Sequence, residues 1–61
     1  MSVLDMIDKF DGYLIVARDN AEKFEINGNK AAGTRVRKNM QDIKTLAQSV
    51  RNAVTNAKKG K

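Results

Sequence analysis

The sequence predicts an all-α protein: two long helices folded into an αα-hairpin, assembling as a homodimeric four-helix coiled-coil bundle. Three observations carry this. No proline interrupts the 61 residues, so long helices meet no fixed breaker. Two runs of apolar residues recur at alternating spacings of three and four, the seam of a heptad repeat. Between the runs, Ile26-Asn27-Gly28-Asn29 supplies a residue for a left-handed turn and a helix cap. The whole chain, residues 1–61, reads as a single domain.

Helix 1 is expected over about residues 3–25, with a seam of Val3, Ile7, Phe10, Leu14, Ala17, Ala21 and Phe24. Ser2 stands three residues before Asp5, a capping box with the shorter acid in place of glutamate. Asp11-Gly12 ahead of Tyr-Leu-Ile-Val offers a β-hairpin instead. No alternating strand precedes Asp11, however, and the helical spacing runs straight through Gly12. In mid-helix that glycine should cost about 1 kcal/mol relative to alanine, and it is expected to mark a bend or a close contact.

A loop over 26–29 leads into helix 2, expected over about residues 30–58 with Asn29 as its N-cap. Its seam is Gly33, Val36, Met40, Ile43, Ala47, Val50, Val54 and Ala57. The basic tail 59–61 reads as frayed. Several seam residues are small, which lets helices approach but buries little area. Leu4, Met6, Tyr13, Ile15, Val16 and Leu46 lie off the seams, an apolar belt too wide for one partner helix. A chain this short buries only about 60% of its unfolded surface, and it has no Cys or His to staple it with a disulfide or a metal. Association between copies remains. Ile7, Phe10, Leu14, Phe24, Val36, Met40, Ile43, Val50 and Val54 are the expected core and dimer residues.

The same composition narrows function. Without His or Cys, a neutral-pH general base or thiolate nucleophile is missing, and a narrow helical bundle has no sizeable cleft. The protein is therefore not expected to be an enzyme, to carry a cofactor or metal, or to take a small-molecule substrate. No run approaches the roughly 18 apolar residues of a membrane span. The N-terminus lacks the basic flank and apolar block of a signal peptide, so a cytoplasmic protein is expected. Gly28 and Gly33, five apart with Thr34 behind, invite comparison with a phosphate-binding loop. That motif needs a Lys after its last glycine and a strand before its first, and neither is present.

Charge is divided unevenly. Residues 1–29 carry three cations and six acids, whereas residues 30–61 carry nine cations and one acid, Asp42. Lys30, Arg37, Lys44, Arg51 and Lys58 stand at a constant interval of seven. Seven residues fall only about 20° short of two turns, so the five form one nearly straight row, roughly 42 Å long. Arg35 and Lys38 widen it near the start, and Lys59 and Lys61 extend it. Asn39, Gln41, Gln48, Asn52 and Asn56 add uncharged donors on the same helix. Such a row suits a phosphate backbone. Two other uses compete. Cations beside a coiled-coil seam ordinarily pair with acids on a neighbouring helix, which would make this a structural or adaptor protein whose row forms internal salt bridges. Even with every acid of residues 1–29 paired, the formal charge of +5 remains. A basic amphipathic helix can also lie on an anionic membrane, but helix 2 has no Trp or Phe and its heptad regularity suits a protein partner.

At this point the residues resemble a known family. GNKAAGTRVRKNMQDIKTLAQSVRNAVTNAKKG, residues 28–60, is similar to the bacterial linker-histone-like proteins known from chlamydiae, with shorter relatives in other bacteria. Gly28, Asn29, Lys30, Ala31, Ala32, Arg35 and Arg37 carry the likeness, a Gly-Asn-Lys-Ala-Ala stretch leading into an Arg-x-Arg pair and a long basic helix. The resemblance implies a nucleoid-associated, DNA-compacting protein on an α-helical dimerising domain. Chlamydial members carry a long Lys/Ala-rich tail that this sequence lacks, so DNA contact is expected to rest on the helices. The expected partners are DNA, with RNA left open, and a second copy of the chain. The expected contacts are Lys30, Arg35, Arg37, Lys38, Lys44, Arg51, Lys58 and Lys59.

Overall fold

The computed structural model describes residues 2–59, Lys59 by its backbone alone. They form two helices, α1 (Val3–Asn27) and α2 (Lys30–Lys59), folded back on each other as an all-helical hairpin. The rod measures 51 × 15 × 12 Å.

Local chemistry explains each boundary. Ser2 is extended, and its Oγ accepts from the Asp5 amide at 3.1 Å, satisfying one of the amides a helix start leaves orphaned. Only this half of the capping box forms among the described residues, because an aspartate is a methylene short of the return bond. α1 runs two residues past the expected end, to Asn27. Gly28 then takes the left-handed conformation, φ 66°, which a Cβ would penalise. The amides of Gly28 and Asn29 both donate to the Lys23 carbonyl. Asn29 caps α2, its Oδ1 accepting from the Ala32 amide at 3.1 Å. The close contact expected at Gly12 is absent among the described residues of the hairpin. α1 continues through it, and a Cβ added there would meet nothing within 4 Å.

Packing of α1 on α2 departs in part from the expected seams. On α1 the line Val3, Phe10, Ala17, Phe24 does face α2, and Met6, Asn20 and Ala21 accompany it, whereas Ile7 and Leu14 do not. Val3, Met6 and Phe10 are partly buried and Ala17 and Asn20 buried, while Ile7 and Leu14 are 48% and 50% exposed. On α2 the line Val36, Ile43, Val50 is partly buried as expected. Ala32, Asn39, Leu46 and Ala53 accompany it; Gly33 and Ala47 stay partly buried as expected, but Asn39 and Ala53 take the inner place one residue before Met40 and Val54. One residue is roughly 100° of helix rotation, enough to leave Met40 45% and Val54 40% exposed. Spacing alone allowed both choices. The hairpin turns Ala17, Ala32, Leu46 and the Asn20–Asn39 pair inward and leaves Ile7, Leu14, Met40 and Val54 at its edge.

The core is accordingly thin: Ala17, Ala32 and Leu46 are its buried apolar residues. The close approach is clearest at the turn end, where the Phe24 ring lies against Gly33. A Cβ on Gly33 would fall 2.6 Å from ring carbon Cδ1, so that glycine is a packing residue.

Candidate nucleic-acid interface

Lys30, Arg37, Lys44, Arg51 and Lys58 all project from α2 as exposed side chains, in the single line that their spacing and an unbroken helix require. Among the described residues, the ion pairs are Lys23 with Asp19 and Lys38 with Asp42, and neither uses a member of the row. The acids of α1 therefore do not consume these cations within the hairpin. The electrostatics are sharpest at the turn end. The N-terminus of a helix is its positive pole, yet the first turn of α2 holds no acid and begins with Lys30.

Other residues expected to widen the row have different surroundings. Lys38 Nζ lies 2.6 Å from Asp42 Oδ1 one turn on; the pair is exposed, so screening leaves it worth little and its cation is only loosely committed. Arg35 turns toward α1, where its Nε donates to Asn20 Oδ1 at 3.2 Å. Asn39 is drawn toward α1, its Oδ1 accepting from Asn20 Nδ2 at 3.0 Å. Gln48 bonds to Asn52 along the helix surface. Lys59 closes α2, and its side chain, like Lys61 and the end of the tail, lies outside the described residues.

The Arg35–Asn20–Asn39 network joins the helices at mid-length, with Asn20 7% exposed, and sequence reasoning did not find it. A signal was present: Asn20 stands three residues after Ala17 and four before Phe24, a seam interval held by a polar residue, which commonly fixes register.

Two shallow grooves open between the helices. One, of about 290 Å³, is lined by Leu14, Ala17, Arg18, Ala21, Val36 and Met40, which puts the outer lines of both helices on one face of the hairpin. The other, of about 380 Å³, lies at the turn end between Phe24, Lys30, Gly33, Thr34, Val36 and Arg37. Among the described residues there is no cluster of His, Cys, Asp or Glu able to hold a metal ion, and no helix is long and apolar enough to cross a membrane.

Fold and surface together define a small, basic, all-helical hairpin whose longer helix presents a line of cations in no ion pair among the described residues. The family comparison agrees with that class. Residues 5–60 match the family model described as histone H1-like protein Hc1, and the chain belongs to this family. Membership supports a DNA-binding nucleoid protein in general terms. No curated protein and no solved structure matches the chain significantly.

Proposed function

We propose that this protein binds and compacts DNA in the bacterial nucleoid through phosphate contacts, without strong sequence preference, and that it does so as a homodimer without catalysing a reaction. The observation that carries the reading is the solvent-facing line of five cations, none of them in an ion pair among the described residues. Lys30, Arg37, Lys44, Arg51 and Lys58 make the contacts. Lys38 and Lys59 add charge beside them, and Arg35 anchors the hairpin while its outer nitrogens stay within reach of a phosphate. Side chains in a line read the regular backbone, whereas sequence is read by donors and acceptors aimed at base edges.

Self-association rests on surface. The chain exposes 4933 Å², whereas a compact protein of 6.8 kDa exposes about 4,000 Å². Ile7, Leu14, Met40 and Val54 are among the large apolar residues left uncovered. They belong to the two lines displaced from the inner seam, and a second copy laid on that face completes a four-helix bundle. The rival is an adaptor protein in which the acids of a second copy neutralise the row. The same uncovered face favours it.

One experiment separates the two. Counterion release makes the logarithm of affinity fall linearly with the logarithm of salt, by about 0.9 per phosphate neutralised. A dimer engaging on the order of six phosphates loses about three decades between 50 and 200 mM salt. Replacing Arg37, Lys44 and Arg51 together by Gln should flatten that slope and weaken binding to all duplexes alike, with the fold nearly intact because exposed cations stabilise little. A triple variant that melts many degrees lower and binds DNA like the parent makes the row an internal salt-bridge device.

A further inference from the structure

Phe24 is an unusual neighbour for the row. Its ring is fixed on one side by Gly33, yet 47% of the residue is exposed. The groove it walls, about 380 Å³, is flanked by Lys30 and Arg37, the first two cations of the line, with Thr34 beside them. An aromatic surface held by backbone packing, in a groove that two cations also line, presents a face for a planar ring and positive charge for the phosphates that flank it. We propose that this groove receives one unpaired nucleobase, stacked on Phe24 with its adjoining phosphates on Lys30 and Arg37. The inference rests on the nucleic-acid reading above and adds to it a preference among structures. A base inside a continuous duplex offers no free face, and Phe24 gives nothing to such a target. A base in a single strand or an unpaired loop offers one, and stacking on an aromatic is indifferent to which base it is.

The charge around the groove selects this occupant. A second copy would bring an apolar or acidic surface and is served by the uncovered lines of Ile7, Leu14, Met40 and Val54, whereas at the turn end the exposed ring of Phe24 shares its groove with two cations of the row. Phe24 also belongs to the inner line, so its ring is positioned by the hairpin itself. The groove is complete in one chain.

The test compares three targets at fixed salt: a continuous duplex, the same duplex carrying a run of unpaired thymines, and an oligothymidine strand. Wild type should bind the interrupted duplex about tenfold more tightly than the continuous one, the range expected from stacking a single base. Phe24→Leu keeps an apolar contact on Gly33 and the whole row. It should abolish that preference while binding the continuous duplex within about twofold of wild type. Because a leucine can loosen the turn, a second variant reads the site directly. In Phe24→Trp the indole is the chain's sole tryptophan, and its emission should be quenched by oligothymidine and not by continuous duplex. Equal affinity of wild type for continuous and interrupted duplex overturns the groove assignment and leaves the phosphate reading standing. So does a Phe24→Leu chain that changes its oligomeric state and keeps the preference, which would place a second copy in the groove. Failure to bind any of the three overturns both.

Discussion

Adding one methyl group to Gly12, Gly28 or Gly33 meets three different environments. At Gly12 the new carbon finds open space inside a regular helix, so alanine should stabilise by about 1 kcal/mol through helix propensity alone. Gly28 also has room, but its backbone is left-handed at φ 66°, and alanine there should destabilise by about 1–2 kcal/mol. Gly33 has an ordinary helical backbone and no room, because the Phe24 ring occupies the site. Alanine gains helix propensity there but displaces the ring, and overpacking at about 1–3 kcal/mol should outweigh the gain. Urea denaturation of the three variants at one protein concentration checks the order: Gly12→Ala above wild type, both others below. Gly28 and the caps were legible in the sequence because a turn and a helix start are local, decided by residues within a few positions. Nothing local told Gly12 from Gly33. Their difference lies in what the other helix brings against them.

At the scale of the helices, the Asn20–Asn39 bond and its extension to Arg35 hold one register. A buried amide deprived of its partner loses its hydrogen bonds without regaining water, about 1–3 kcal/mol. Asn20→Leu should therefore destabilise by that amount, since it strands Asn39 and frees Arg35. Replacing both asparagines by leucine should recover most of the loss, because apolar groups replace both partners, at the expense of a single register. A double-mutant cycle in urea measures the coupling, and broadened amide resonances in the double variant would report the lost register. Helix spans came out of the sequence to within two residues and the hairpin with them, because a four-three pattern and a glycine turn leave few alternatives. The seams came out in part: Ala21, Gly33, Val36, Ile43, Ala47 and Val50 are at least partly buried as expected, whereas Ile7, Leu14, Met40 and Val54 are exposed. A heptad ruler passes over polar residues, so Ala21 was preferred to Asn20 and Met40 to Asn39. The fold turns the bonded amide pair inward and leaves Met40 at the edge. The basic row was legible for a related reason: five cations at one interval share a face whichever way the seam turns. The positions off that interval, Arg35 and Asn39, were the ones whose surroundings differed from expectation.

For the whole molecule the decisive quantity is the apolar surface left uncovered. A lone hairpin with three buried apolar residues among those described has little to offset its chain entropy, so stability should be shared with assembly. The melting temperature should then rise with protein concentration. Met40→Asp puts a charge on the outer line at a site 45% exposed in the single chain. If that line remained in water the change would be nearly neutral, within about 0.5 kcal/mol. Buried against a second copy it places an unpaired carboxylate in an apolar contact and should dissociate the assembly. Sedimentation and melting at two concentrations decide the matter, and a variant identical to wild type in both would show a hairpin that stands alone.

The unbroken course of α2 has a geometric consequence for anything laid along it. A continuous helix carries its seven-spaced cations on a line that drifts only about 20° per step, or about 80° from Lys30 to Lys58, but each phosphate strand of a duplex winds about its axis once in about 34–36 Å. The line from Lys30 to Lys58 is roughly 42 Å, slightly more than one such turn. A straight edge set along a screw touches the same thread only where it comes round again. Lys30 and Lys58, at the two ends, can rest on one strand a full turn apart, while Lys44 at the middle faces a groove or the opposite strand. Keeping all five cations in contact would require the duplex to straighten its thread beneath the protein, by local unwinding or by a tilt of the rod across the grooves. The protein would then act on the twist of its partner, with its own stiffness as the gauge.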